Sequence, residues 1–195
     1  MKKKILLFGA GGHANSCIDV IQMNKKYEIF GFIGKKQEVG KKINKYKVLG
    51  TEEDILKIFQ RGVRHALITL GSYNNPLIRS KLFTFLKKKG FNFPTVISPY
   101  AYVSKSSKIS EGTIVMHGAI INSNSTIGSN CIINSKSLIE HDCQIGNNVH
   151  ISTGSIINGS VKIGPNSFIG SGSVLRNNLV LKSKSFIKMG TILKK

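Results

Sequence analysis

From Ile55 to the end the chain holds three acidic residues, and two of them flank one histidine, in Glu140-His141-Asp142. A carboxylate beside an imidazole fixes its tautomer and stabilises the imidazolium, which equips the histidine as a general base. A histidine with merely solvated neighbours is the plainer alternative, and the scarcity of acids elsewhere weighs against it. His150 lies nine residues on and His117 twenty-four back. Three histidines raise a metal alternative, and no metal is expected. Cys17, Cys131 and Cys143 include no CxxC pair and cannot all be bridged within the chain. This favours a reduced compartment.

A second constellation lies near the N-terminus, where Gly9-Ala-Gly-Gly-His13 separates an apolar run, Ile5–Phe8, from an apolar helical stretch ending at Met23. A glycine-rich turn between strand and helix presents backbone N–H groups and the helix N-terminus to a phosphate. A dinucleotide site also needs an acid at the end of the second strand. That strand, Tyr27–Ile33, runs into Gly34-Lys35, so NAD is not expected. An anionic sugar or sugar-nucleotide ligand and a bare structural turn are the remaining readings.

These residues must be positioned by two kinds of element. Residues 1–92 alternate strand and helix. Strands are expected at Lys4–Phe8, Tyr27–Ile33 and His65–Leu70. A helix should start at Thr51-Glu-Glu-Asp54, and another at Asn75-Pro76 with Ile78, Leu82, Phe85 and Leu86 on its inner face. This order predicts a small Rossmann-like α/β domain with a parallel sheet. Residues 93–195 follow a different rule. Stepping by six from Ile97 to Leu193, all seventeen positions are Ile, Val or Leu. Four residues after each aliphatic the side chain is small or compact, Cys131 and Cys143 included, and three after it Gly or Asn dominates. Gly and Asn tolerate the positive φ of a sharp corner, so each hexad is a short strand plus a corner, stacked into a parallel β-helix. The two cysteines are then buried filler.

The hexads, with Ile-Gly at 127–128, 145–146, 163–164 and 169–170, resemble the hexapeptide-repeat acyltransferases. That resemblance implies a left-handed β-helix and a homotrimer with an acyl-CoA groove between neighbouring helices. Three further segments are similar to the sialic acid O-acetyltransferase and UDP-N-acetylbacillosamine N-acetyltransferase family: Gly9–His13, Val96-Ile-Ser-Pro-Tyr-Ala101, and Asn134-x5-Glu140-His141-Asp142-x2-Ile145-Gly146-x3-His150. The family transfers acetyl from acetyl-CoA to the amine or hydroxyl of a sugar. The resemblance implies that His141 is the base, that Asp142 raises its basicity, and that Asn134 shares its pocket, with Glu140 beside them. It implies that His150, Gly159 and Ser171 contact CoA, and that Gly11, Gly12, His13 and Gly71 form the sugar-nucleotide side. The chain departs from many relatives in having Gly34-Lys35 for an acidic pair, and in lacking a Gly-x-Pro-Ala segment after Leu193.

Composition limits the alternatives. Lys+Arg 29 against Asp+Glu 9 gives a net charge of +20, which favours anionic ligands. The rival to a sugar acetyltransferase is a non-catalytic β-helix that binds nucleic acid or another polyanion. It is disfavoured because the hexad ladder from Ile97 on carries only Tyr100, Tyr102, Phe168 and Phe186 as stacking residues. No apolar run is long enough to span a membrane, and Met1–Ala14 lacks a signal-peptide cleavage pattern, so a cytoplasmic protein is expected.

Overall fold

The computed structural model describes residues 2–73 and 76–194. The first unit is a five-stranded sheet of β1 (Lys3–Phe8), β2 (Tyr27–Ile33), β3 (Lys42–Ile43), β4 (Tyr46–Gly50) and β5 (His65–Ile68), in the order β3-β4-β2-β1-β5. All pairings are parallel except β3 with β4. The β3–β4 hairpin was not legible in the lysine-rich stretch 35–47, because an edge ribbon needs few apolar residues. β1 is a continuous apolar run because both its faces are covered. Ile5 and Leu7 pack with α1 (Gly12–Asn24), and Leu6 and Phe8 pack on the side of α2 (Ile55–Gln60) and α3 (Pro76–Lys88). The expected Thr51 start is present as a single 3-10 turn before α2, where the Thr51 N–H donates to the Asp54 carboxylate at 3.0 Å. Asn75 lies outside the described residues.

The inner face of α3 differs from the expected one. Ile78 and Phe85 are 48% and 38% exposed, while Arg79 and Leu86 are buried and Leu82 and Phe83 half-buried. The buried stripe is therefore 79-82-83-86, an i, i+3, i+4, i+7 set that begins with an arginine. A search for apolar positions shifts such a stripe by one residue.

From Val96 the chain forms seventeen two-residue strands, each ending on one of the aliphatics of the six-residue ladder. They stack as three parallel sheets along a left-handed prism. The inward aliphatics make one continuous core, with Cys131 and Cys143 buried in it. The small inward slot also carries hydrogen bonds between coils. The Ser125 and Ser155 hydroxyls donate to the carbonyls of Glu140 (2.6 Å) and Gly170 (2.9 Å). The thiols of Cys131 and Cys143 do the same toward Gly146 and Asn158 at 3.1 and 3.2 Å. Burial pushes the Cys131 thiol up to about 11, so it remains protonated at neutral pH. From Gly112 to Gly190 every sixth residue has positive φ. Lys136, Asp142, Ser160 and Lys184 hold this position as well as Gly and Asn.

The outward residues, one before each aliphatic, repeat every eighteen and give the prism three different faces. One face carries Val96, Ile114, Ile132, His150, Phe168 and Phe186. Its first three residues are fully buried against α1, so α1 lies between the sheet and the β-helix. A second carries Lys108, Thr126, Gln144, Lys162 and Val180, all exposed. The third carries Tyr102, Ile120, Leu138, Ile156, Val174 and Ile192, apolar along its whole length yet exposed or half-buried. Uncovered apolar surface of this extent marks an interaction site.

Candidate functional site

The prism corner between the open apolar face and the polar face places Glu140, His141 and Asp142 on one coil. The coil before it supplies Asn122, Ser123 and Asn124, and the coil after it Asn158, Gly159 and Ser160. His141 Nδ1 lies 2.8 Å from Asp142 Oδ2, with the two side chains 53% and 51% exposed. An ionised carboxylate only accepts, so Nδ1 is the donor and Nε2 keeps its lone pair as an acceptor. Hydrogen bonds from His141, and secondarily from Asn124, hold the Asp142 carboxyl below the usual carboxylate range. The Glu140 carboxylate turns away and accepts from Asn122 Nδ2 at 2.9 Å. Gly159 lies under the imidazole. A Cβ built there would stand 2.7 Å from His141 Cε1 and Nε2, so a side chain at 159 would push the ring aside.

The other edge of the open apolar face holds a different set. His150 is buried, with Nε2 3.5 Å from Asn134 Nδ2, and its ring meets Phe168 edge-on at 5.0 Å and His13 at 6.3 Å. Ser171 hydrogen-bonds Ser152 at 2.9 Å. His150, Ser152, Ser171, Lys188 and the stacked pair Phe168–Phe186 line a cavity of about 430 Å³. Burial, with His13 and Arg79 adding repulsion, pulls His150 down to about 3, and burial with Arg79 pulls His13 down to about 4. Both are neutral imidazoles at neutral pH, and His13 Nε2 and His150 Nδ1 are buried without a partner among the described residues.

A second cavity, of about 550 Å³, opens at the C-terminal ends of β1, β2 and β5, where ligands bind parallel sheets. Gly11, Gly71, Gly34 and Lys35 line it. A Cβ on Gly11, Gly12 or Gly71 would meet nothing within 4 Å, and none of the three has a left-handed φ. The fold itself therefore does not demand glycine there, and the open space suits a close ligand. Gly9 is structural, since its φ is +108° and a Cβ would strike Leu70. The acids missing after Ile33 in the sequence reach the cavity wall as Glu38 and Glu52. Glu38 is partly committed, accepting from the Lys35 N–H at 2.7 Å. Tyr73 lines both cavities and packs on Phe168 at 5.5 Å.

Two groups were not singled out as functional from the sequence. Arg79 is fully buried and meets no carboxylate among the described residues. It donates to the carbonyls of Ile68 (2.8 Å) and Leu70 (2.6 Å), and to Asn130 Oδ1 (2.9 Å) in the β-helix. It thus fastens the loop that carries Gly71 to the prism, and burial pulls its guanidinium down to about 10. His117 bridges Ser98 Oγ (2.6 Å) and Asp19 Oδ2 (2.8 Å), a Ser-His-Asp line. Ser98, however, is buried and its hydroxyl accepts the Tyr100 N–H at 3.0 Å, so the set fastens α1 to the first coils. Among the described residues no three His, Cys, Asp or Glu side chains converge as metal ligands.

The expected site residues thus fall into three groups: His141, Asp142 and Gly159 on one prism edge, His150, Asn134, Ser171 and His13 on the other, and Gly11, Gly12 and Gly71 at the sheet. Glu140 shares the first edge without touching His141. Within one chain His141 lines neither cavity, and Asn134 is across the open face from it.

Comparison with known proteins matches both halves of the chain. Residues 4–86 match the PglD N-terminal domain, and residues 142–177 match the bacterial transferase hexapeptide (six repeats). No curated protein matches by sequence. Among solved structures, the acetyltransferase domain of PglB from Neisseria gonorrhoeae, in complex with acetyl coenzyme A, superposes with a TM-score of 0.89 at 26% identity, over 100% of this chain and 92% of that one. A mutant of perosamine N-acetyltransferase from Caulobacter crescentus, in complex with CoA and GDP-perosamine, gives 0.92 at 24%, over 98% and 89%. WeeI from Acinetobacter baumannii gives 0.76 at 21%, over 99% and 97%. The resemblance read from the hexads and the glycine turn therefore holds for both units, and the fold is that of these three structures.

Proposed function

We propose that the protein is an acetyl-CoA-dependent acetyltransferase that modifies an amino group of a nucleotide-linked sugar, with His141 as general base. The carrying observation is His141 itself: half exposed, with Nδ1 held by Asp142 and the ring seated over Gly159, which leaves it room. As the sugar nitrogen attacks the thioester carbonyl, Nε2 takes its proton. The tetrahedral intermediate then expels the CoA sulfur, which carries the proton away, leaving an amide and a free thiol. Residues 1–92 hold the nucleotide sugar, in the cavity bordered by Gly11 and Gly71, and residues 93–195 hold acetyl-CoA. The amine is favoured over a hydroxyl because the perosamine enzyme of similar fold is an N-acetyltransferase. The net charge of +20 suits two anionic substrates, both metabolites of the cytoplasm. The product feeds a bacterial surface glycan.

The working unit is a homotrimer. His141 stands on one edge of the open apolar face and Asn134 with His150 on the other. Covering that face with a second copy brings His141 of one chain toward the His150 edge of the next, which a single chain cannot do. Thiol release from acetyl-CoA, measured against UDP- and GDP-linked amino sugars and their hydroxyl counterparts, tests the reaction. Turnover only with hydroxyl acceptors would reassign the acceptor atom, and absence of thiol release with every acceptor would refute the reading. Ile156→Glu, aimed at the middle of the open face, should give monomers by light scattering and abolish turnover.

A further inference from the structure

We infer that Asn122 and Asn124 are positioning residues that divide the two carboxylates flanking His141, holding Glu140 off the ring and presenting Asp142 to it. The inference rests on His141 as the base. In an eighteen-residue coil, residue i stands over residue i+18, so the asparagines at 122 and 124 lie against the acids at 140 and 142. Each donates its side-chain amide to the acid beneath it. Asn122 Nδ2 reaches Glu140 Oε2 at 2.9 Å, and Asn124 Nδ2 reaches Asp142 Oδ1 at 3.3 Å. With Oδ1 engaged, Oδ2 is the oxygen left for His141 Nδ1. Asn124 is itself fixed, because its backbone N–H donates to Ser106 Oγ at 3.0 Å from the coil before. The line Ser106–Asn124–Asp142–His141 thus crosses three coils and ends on the base.

The arrangement answers a physical need. Asp142 is half exposed and sits on a corner with φ +60°, where nothing buried restrains its rotamer. An exposed carboxylate beside a histidine spends much of its time in water, since isolated surface pairs gain little. A second donor on the other oxygen restricts rotation and favours the paired geometry. Glu140 without Asn122 would be a competing acceptor for the same ring. The other charges on this edge, among the described residues, are Lys105 and Arg176, two coils away, and Lys194, three coils away; Arg176 donates to the Lys194 carbonyl at 3.1 Å. Asparagine suits the task because it tolerates the left-handed φ of +59° at 124 and carries a donor of the right length.

The test combines kinetics with the tautomer of His141, read from ¹⁵N NMR of the labelled protein. Asn124→Gly keeps the left-handed backbone and removes the donor. It should lower kcat by about 5–10-fold with both KM values within about twofold, and replace the single Nδ1–H tautomer with a mixture. Asn124→Asp keeps the shape and faces Asp142 with another acceptor, so it should lower kcat further. Asn178→Gly, at the same corner two coils past Asp142, should leave kcat and the tautomer as in the parent. Unchanged kcat and tautomer in both Asn124 variants overturn the inference, and so does a loss of thermal stability with the tautomer intact. The tautomer is read without turnover, so the two readings separate. A normal rate in His141→Ala sinks the base assignment whatever the asparagines do.

Discussion

The two edges of the open apolar face carry two histidines of the β-helix half, His141 and His150, and they are built in opposite ways. His141 is half exposed, paired with an ionised carboxylate, and backed by a glycine. His150 is buried against Phe168 and His13, with Arg79 adding repulsion, and burial pulls it down to about 3. A base must change its charge during turnover, so it needs water access and a nearby anion. A group that only donates or accepts a hydrogen bond works best when it cannot charge at all. Environment, more than residue type, sets the role.

Mutations sharpen this contrast to different degrees. The largest effect is expected from His141→Ala, which should cut kcat by at least about a hundredfold while leaving CoA affinity nearly unchanged by calorimetry. Near-normal turnover would move the base from His141 to a water relay. Gly159→Ala comes next. A methyl 2.7 Å from Nε2 must displace the ring, and misplacement on the order of 1 Å costs between about 10- and 100-fold in rate. A crystal structure of that variant with His141 unmoved would contradict the steric account.

Asp142→Asn should cost about tenfold, less than loss of the imidazole, because it removes the carboxylate that holds Nδ1–H and keeps the ring. Equal losses for Asp142→Asn and Glu140→Gln would show that the two acids are interchangeable, against the hydrogen bonds seen. The smallest effect concerns stability. His150 and His13 have folded values of about 3 and about 4, below the value near 6.5 of an unfolded histidine. Between those limits the unfolded chain binds more protons than the folded one, so the contribution is complete above pH 6.5 and is lost as pH falls toward 4. Melting temperature should drop by several degrees from pH 7 to pH 5, and His150→Phe should flatten the drop. A parent protein equally stable at both values would show that His13 and His150 take up protons without opening the fold.

Much of the fold was legible because the β-helix is close to one-dimensional. Each hexad touches its neighbours, so the ladder from Ile97 to Leu193 and the small slot need no long-range information. The Gly-rich turn and the Thr51 start were readable for the same local reason. The signal for the three faces was also present, as apolar residues at Tyr102, Ile120, Leu138 and every eighteenth position after, but it emerges only when the outward slot is sorted by coil. Arg79 was hidden because an arginine at the head of an apolar stripe looks like a surface residue. The Glu38 and Glu52 contributions were hidden because the acids arrive from beyond the second strand instead of at its end.

The sequence by itself determined the repeat, the division into an α/β half and a β-helical half, and the identity of the Glu-His-Asp block, since each depends on spacing along the chain. Tertiary structure alone decided which acid serves His141, why residue 159 is glycine, and that burial holds His13 and His150 neutral. It also decided that His141 and Asn134 stand on opposite edges of one face. These depend on contacts between residues one coil apart or in different units. Hydrogen-bond reach and desolvation are set there by distances that no linear pattern encodes.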